Sequence, residues 1–211
     1  MNDQRTLPIE DRDFPEWHGG CPHALVWLVD VDVPAVRAAI ADARARLGDL
    51  LYPRYARQPH VTLVFAGLAP AEGAAPGDTI YDEEAFRADL GRLMALSPAP
   101  FPLRIDGWGT FTTSPHLTVE GHDALLPLHR ALTVGRPCGA PSYVPHVTVG
   151  LYGVSVPLAE VAARMAGWAG PSLDLEVAEL TLARYDAADI AGPLTPVGRL
   201  LLGTEPSWVT P

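Results

Sequence analysis

Lysine is absent from this 211-residue chain, so all fifteen of its basic residues are arginines. They face twenty-five Asp and Glu, for a net charge of −10 and a pI near 5.0. That balance excludes the broad basic surface of a protein that grips long duplexes. A phosphate-bearing partner must be short, or be met by a local arginine cluster, for which the planar guanidinium fork is suited. Cysteine is nearly absent too. Cys21 and Cys138 stand far apart and, without a secretory context, are expected as free thiols. No apolar run approaches the roughly 20 residues of a membrane span, and Met1-Asn2-Asp3-Gln4-Arg5 does not have the pattern of a signal peptide. The expectation is a cytoplasmic monomer with no membrane partner. Metal spacing is missing as well: His18, Cys21 and His23 cluster, but no matching Cys/His pair follows, so a plain loop is expected and no metal.

What the chain does have is one device written twice. Residues 59–63 read Pro59-His60-Val61-Thr62-Leu63, and residues 145–149 read Pro145-His146-Val147-Thr148-Val149. Each opens an apolar, β-branched run that reads as a buried strand. Side chains alternate along a strand, so His60 and Thr62 share one face and His146 and Thr148 share one face. An imidazole and a hydroxyl side by side, in two copies, suit phosphate-ester chemistry. One histidine can activate the attacking oxygen and the other protonate the leaving oxygen, because both titrate near neutrality. The threonine hydroxyls can donate to non-bridging oxygens, where charge develops. No metal or other cofactor is needed by this scheme.

A third copy, His116-Leu117-Thr118, matches as a string. After it the chain runs Val119, Glu120, Gly121, His122, Asp123, so its His/Thr face is polar throughout. That pattern predicts a strand with one wet side, away from the cleft centre and with a solvated histidine.

The doubled motif, in a chain of about this length, resembles the 2H phosphoesterase superfamily, and most of all its 2′-5′ RNA ligase/RNA 2′,3′-cyclic phosphodiesterase group. The resemblance extends from about residue 23 to 203, and is specific only at the two motifs. It implies an α+β, bilobal fold with pseudo-twofold duplication: two antiparallel sheets, outer helices and a central cleft across which the motif strands face each other. It implies hydrolysis of a nucleotide or short RNA end carrying a 2′,3′-cyclic phosphate or a 2′-5′ linkage, with His60 and His146 as acid and base and Thr62 and Thr148 on the phosphate. Three alternatives stand beside it: a phosphodiesterase for a small cyclic nucleotide such as an ADP-ribose cyclic phosphate, 2′-5′ ligation of RNA ends, and a non-catalytic nucleotide-binding module.

The rest of the chain is read around the motifs. Residues 1–22 form a turn-rich arm. A strand is expected over 23–32, a helix from Pro34 to Gly48 with Val36, Ile40, Ala43 and Leu47 on one face, and further helices over 82–96, 124–134 and 157–168. Strands are expected over 101–113, 115–121, 143–152, 173–185 and 194–202, then a tail from 204 containing Trp208. Strand and helix order repeats over 23–113 and 115–186. Arg54 and Arg57, interleaved with tyrosines just before His60, are candidate substrate-binding residues, since arginine meets phosphate and aromatic rings stack on bases. Tyr143 and Tyr152, flanking the second motif, are the others. Gly150, in phase with His146 and Thr148, is expected to leave room for a ribose or base.

Overall fold

The computed structural model describes residues 4–136 and 143–210. In chain order the elements are α1 (Pro15–His18), β1 (His23–Asp30), α2 (Pro34–Leu47), β2 (His60–Leu68), α3 (Glu83–Leu96), β3 (Phe101–Thr110), β4 (Pro115–Glu120), α4 (His122–Thr133), β5 (His146–Thr148), α5 (Leu158–Arg164), β6 (Ser172–Val177), β7 (Glu179–Asp186), β8 (Thr195–Leu201) and β9 (Ser207–Val209). Helix ends follow local chemistry. Pro34 begins α2, where a missing N–H costs nothing. The Asp82 carboxylate accepts from the Ala85 N–H to cap α3, and Glu83 and Glu84 complement the helix dipole in its first turn.

The nine strands of the described residues join one sheet, ordered β6-β3-β4-β5-β2-β1-β7-β8-β9, and every neighbouring pair is antiparallel. The expectation of two sheets is therefore corrected to one continuous sheet, narrowest in the middle, where β5 has three residues and meets β2 through the single pair Val61↔Val147. The predicted strand over 173–185 is broken at Ala178 into β6 and β7. Six inter-strand steps separate these two in the sheet order, about 29 Å if the sheet were flat at ~4.8 Å per step. One intervening residue cannot span that, so the sheet curls until its two halves meet at Ala178.

The larger core lies on one face of that sheet. Leu25, Trp27 and Val29 of β1 and Val61 and Leu63 of β2 pack there with Val36, Ile40, Ala43 and Leu47 of α2, Leu125, Leu128 and Leu132 of α4, and Leu117 and Val147 from the other half. The opposite face of β1 (Ala24, Val26, Leu28) forms a smaller core with Leu68, Ala183, Tyr185 and Leu194. Burial of β1 on both faces explains its unbroken apolar sequence. Residues after 204 contribute β9, whose Trp208 packs edge-on against Trp27 and Phe86 over Gly198, where any β-carbon would collide with the indole. Thr6 is also tied in: it is fully buried, donates its hydroxyl to the Val154 carbonyl and exchanges hydrogen bonds with Val156. No helix among the described residues is long and apolar enough to cross a membrane.

Candidate active site

The registers of β2, β5 and β4 place the three His-x-Thr strings side by side. Pairing at Val61↔Val147 sets His60 opposite Thr148 and Thr62 opposite His146, one step to either side. On the other flank of β5, His116 pairs with Thr148 and Thr118 with His146. The central residues of all three strings, Val61, Val147 and Leu117, are fully buried in the larger core, so each His and Thr points to the other face. The face is a grid of two rows, His116–Thr148–His60 and Thr118–His146–Thr62. Directly opposed side chains in such a sheet lie about 5 Å apart and diagonal ones about 7–8 Å.

The two motif histidines are fixed in the same way. His60 Nδ1 lies 2.7 Å from the Gln58 carbonyl and His146 Nδ1 lies 2.8 Å from the Val144 carbonyl, two residues back in each case. A carbonyl only accepts, so Nδ1 carries the proton and Nε2 of the neutral ring keeps its lone pair. Burial presses His60 down to about 4, with the nearby Arg57 and His146 charges adding to the effect. His146 is lowered as well, again chiefly by burial. The Tyr55 hydroxyl lies beside the Thr148 hydroxyl, and Thr62 Oγ1 makes no side-chain hydrogen bond among the described residues.

The expectation of a solvated, peripheral His116 is overturned. The residue is 6% exposed, its ring stacks on Phe111 at 4.3 Å, and it stands 5.3 Å from the His146 ring. Its polar face is the face on which β5 and β2 also carry their His and Thr, so His116 lies among the motif side chains and not in water. Thr118, by contrast, donates its hydroxyl to the Asp106 carbonyl and is held at the irregularity in β3. Sequence reasoning missed His116, Phe111 and Tyr55 as site residues; only the repeated string pointed to His116.

The flanking residues divide. Arg57 lies near enough to His60 to act on its charge, with its guanidinium 3.8 Å above the Tyr185 ring and Nη2 donating to the Ile190 carbonyl at 2.5 Å. Arg54 is turned to the N-terminal arm, ion-paired with Asp11. Tyr143 stacks on His129 at 4.2 Å and donates to the Thr62 carbonyl at 3.0 Å, which ties the approach to β5 onto the first motif strand. Tyr152 is corrected: it is fully buried, bonded to Thr110 Oγ1 at 2.5 Å, because the strand ends at Thr148 and the chain turns into the core. Gly150 lines a cavity of about 470 Å³ together with Arg44, Leu51, Tyr52 and Tyr55, and a β-carbon there would stand in ordinary contact with Leu51 at 3.5 Å. Cys21 is a free, buried thiol, whereas Cys138 lies outside the described residues. Among the described residues no group of three or more His, Cys, Asp or Glu could hold a metal ion.

Burial of these imidazoles makes the fold acid-sensitive. His60 and His116 are both pushed from 6.5 to about 4, first by burial. Between those values the unfolded chain binds protons that the native chain refuses, so stability is complete above about pH 6.5 and falls as pH drops toward 4. At about 1.4 kcal/mol per pH unit per group, the loss approaches about 3 kcal/mol for each ring once it is fully protonated. Urea midpoints at pH 7.5, 5.5 and 4.5 measure it; a midpoint unchanged across that range would refute the burial of these rings.

One large antiparallel sheet, with α2 and α4 packed in the larger core and the paired His-x-Thr strings at its centre, makes this a mixed α/β protein. Residues 32–189 match the family model described as the 2′-5′ RNA ligase superfamily, and the chain belongs to that family. Solved structures agree on the fold. Escherichia coli LigT in apo form superposes with a TM-score of 0.57 at 20% identity, over 86% of this chain and 98% of that one. TT0787 of Thermus thermophilus gives 0.52 at 20% identity, over 89% and 94%. A structure described as a phosphoesterase gives 0.55 at 21%, over 86% and 99%. No curated protein matches the chain.

Proposed function

We propose that the protein is a metal-independent phosphodiesterase that hydrolyses nucleotide or RNA 2′,3′-cyclic phosphates. The observation that carries the reading is the matched pair of imidazoles, each with Nδ1 anchored to the carbonyl two residues back and Nε2 left for substrate. A binding module has no need of two such groups interleaved with two hydroxyls. His60, the more deeply buried and pressed to about 4, is neutral at pH 7 and serves as base. It takes a proton from water as the oxygen attacks phosphorus. His146, on the more open side of the pair, serves as acid in its protonated form: Nδ1–H stays on the Val144 carbonyl, and the second proton, on Nε2, passes to the ribose oxygen as its bond to phosphorus breaks. Thr62 and Thr148 donate to the non-bridging oxygens, and Arg57 supplies the nearby positive charge. Among LigT structures are complexes with 3′-AMP and with phosphate, which fits a site built for a nucleotide's phosphate.

The test is turnover of 2′,3′-cyclic AMP in the presence of EDTA, followed by separation of 2′- and 3′-AMP. One monoester is expected as product. Loss of activity on chelation, with recovery on adding zinc or manganese, would replace the acid–base scheme. A panel with a 2′-5′-linked dinucleotide and an ADP-ribose cyclic phosphate assigns the preferred leaving group. Thr62→Val and Thr148→Val should each lower kcat by up to about 10²–10³-fold, the size of one lost oxyanion donor. A loss under two-fold in both would remove the hydroxyls from the reaction.

A further inference from the structure

The buried His116 is expensive as plain packing. Its Nδ1 is buried and makes no well-formed hydrogen bond, the Ser114 carbonyl two residues back being the acceptor that acts on it. A leucine would fill a sheet position without that cost, and orphaned buried polar atoms in native folds call for an explanation. The neighbourhood is shaped around an aromatic ring. Gly109, opposite in register, is bare, and a β-carbon there would come within 2.7 Å of His116 Nε2. Phe111 stacks on the ring with an interplanar angle of 26°. Both rings then meet His146 edge-on: Phe111 at 5.0 Å and 79°, His116 at 5.3 Å and 60°.

We infer that His116, stacked on Phe111, is a positioning residue that holds the His146 imidazole in its working orientation. The kinetic part of this inference rests on the reading of His146 as the acid; the structural part does not. His116 acts through His146 and not on substrate, because one of its nitrogens is buried and the other lies over Gly109. The stack works only with an uncharged His116, since a second imidazolium beside His146 would repel the first. Burial supplies that neutrality, holding the group at about 4. No carboxylate or guanidinium among the described residues offsets it: β3 presents Gly109 with Phe111 beyond it, and β5 presents Thr148 and His146.

Three variants and two readouts test this. In the unliganded protein, the His146 ring is titrated by NMR. In His116→Ala the opened space admits water to His146, and its pKa should rise toward 6.5 by half a unit or more. In His116→Phe the stack survives, and the titration should stay in place. In the cyclic-nucleotide assay, His116→Ala should lower kcat by about 10-fold with KM within about two-fold, as expected for a misplaced catalytic group. His116→Phe should retain kcat within about three-fold, and Phe111→Leu should fall between the two variants. Unchanged titration and kcat in His116→Ala would overturn the inference. So would a folded His116→Phe as impaired as His116→Ala, since the nitrogen itself would then be acting. If wild type turns over no cyclic nucleotide, the functional reading fails, and the titration still decides the positioning role.

Discussion

Replacing either His60 or His146 by alanine is expected to abolish nearly all turnover of a 2′,3′-cyclic nucleotide. Each imidazole contributes about 10²–10⁴-fold as a positioned acid or base. The two are not independent, because a base without its acid leaves a poor leaving group, and an acid without its base leaves an inactive water. The double variant should therefore be scarcely slower than either single one. The pH–rate profile should be bell-shaped, since one ring must be neutral while the other is charged. Burial moves both free-enzyme groups below their ordinary value, so the acid limb of kcat/KM should lie below pH 6.5. A bound phosphate would raise both. Either single variant retaining more than about a tenth of wild-type kcat would rule out this mechanism, as would a flat profile from pH 5 to 9.

Asp89→Ala should be the most destabilising change outside the site. The Asp89 carboxylate is fully buried on α3. One oxygen accepts from Arg92 at 2.5 Å; the other accepts from Arg136 at 2.6 Å and from the Trp27 indole N–H at 3.2 Å. The same indole N–H reaches the Tyr81 hydroxyl at 3.0 Å. This cluster joins α3, β1 and the end of α4. Alanine would remove the carboxylate at its centre and leave Arg136, itself 12% exposed, without its counter-ion. Breaking a buried pair from one side costs about 3–5 kcal/mol, a large part of a typical total of about 5–15. Asp89→Asn keeps the volume and should cost less. Urea unfolding measures both, and a loss under about 1 kcal/mol for alanine would contradict the cluster's role. The exposed Asp49–Arg164 pair is the control: Asp49→Asn should leave the midpoint unchanged, because water screens it.

Local chemistry brings much of this protein into view. The periodic apolar positions of α2 and the Asp82 cap of α3 mark helices from neighbouring residues alone. Alternation along a strand is equally local, and it suffices to put His60 beside Thr62 and His146 beside Thr148. Element ends are less legible. The second motif strand is expected to run from 143 to 152, but the strand stops at Thr148, and beyond it the buried Tyr152 makes only an isolated bridge to Leu51.

The residue inventory, the helical and strand periodicities, and the family to which the doubled motif belongs can thus be read along the chain. Which strands are neighbours cannot. His116 and His146 are thirty residues apart, and the His-x-Thr string they share does not say that they touch; hydrogen bonding between β4 and β5 makes them adjacent, and so turns an apparently wet strand face into part of the site. The same holds for the single curled sheet, broken into β6 and β7 at Ala178, and for Arg54, which finds Asp11 and not the motif strands. Periodicity reports which way a side chain points relative to its own strand. Only the pairing of distant segments determines what it points toward, and that pairing is set by the burial of a whole core, to which no single stretch of sequence refers.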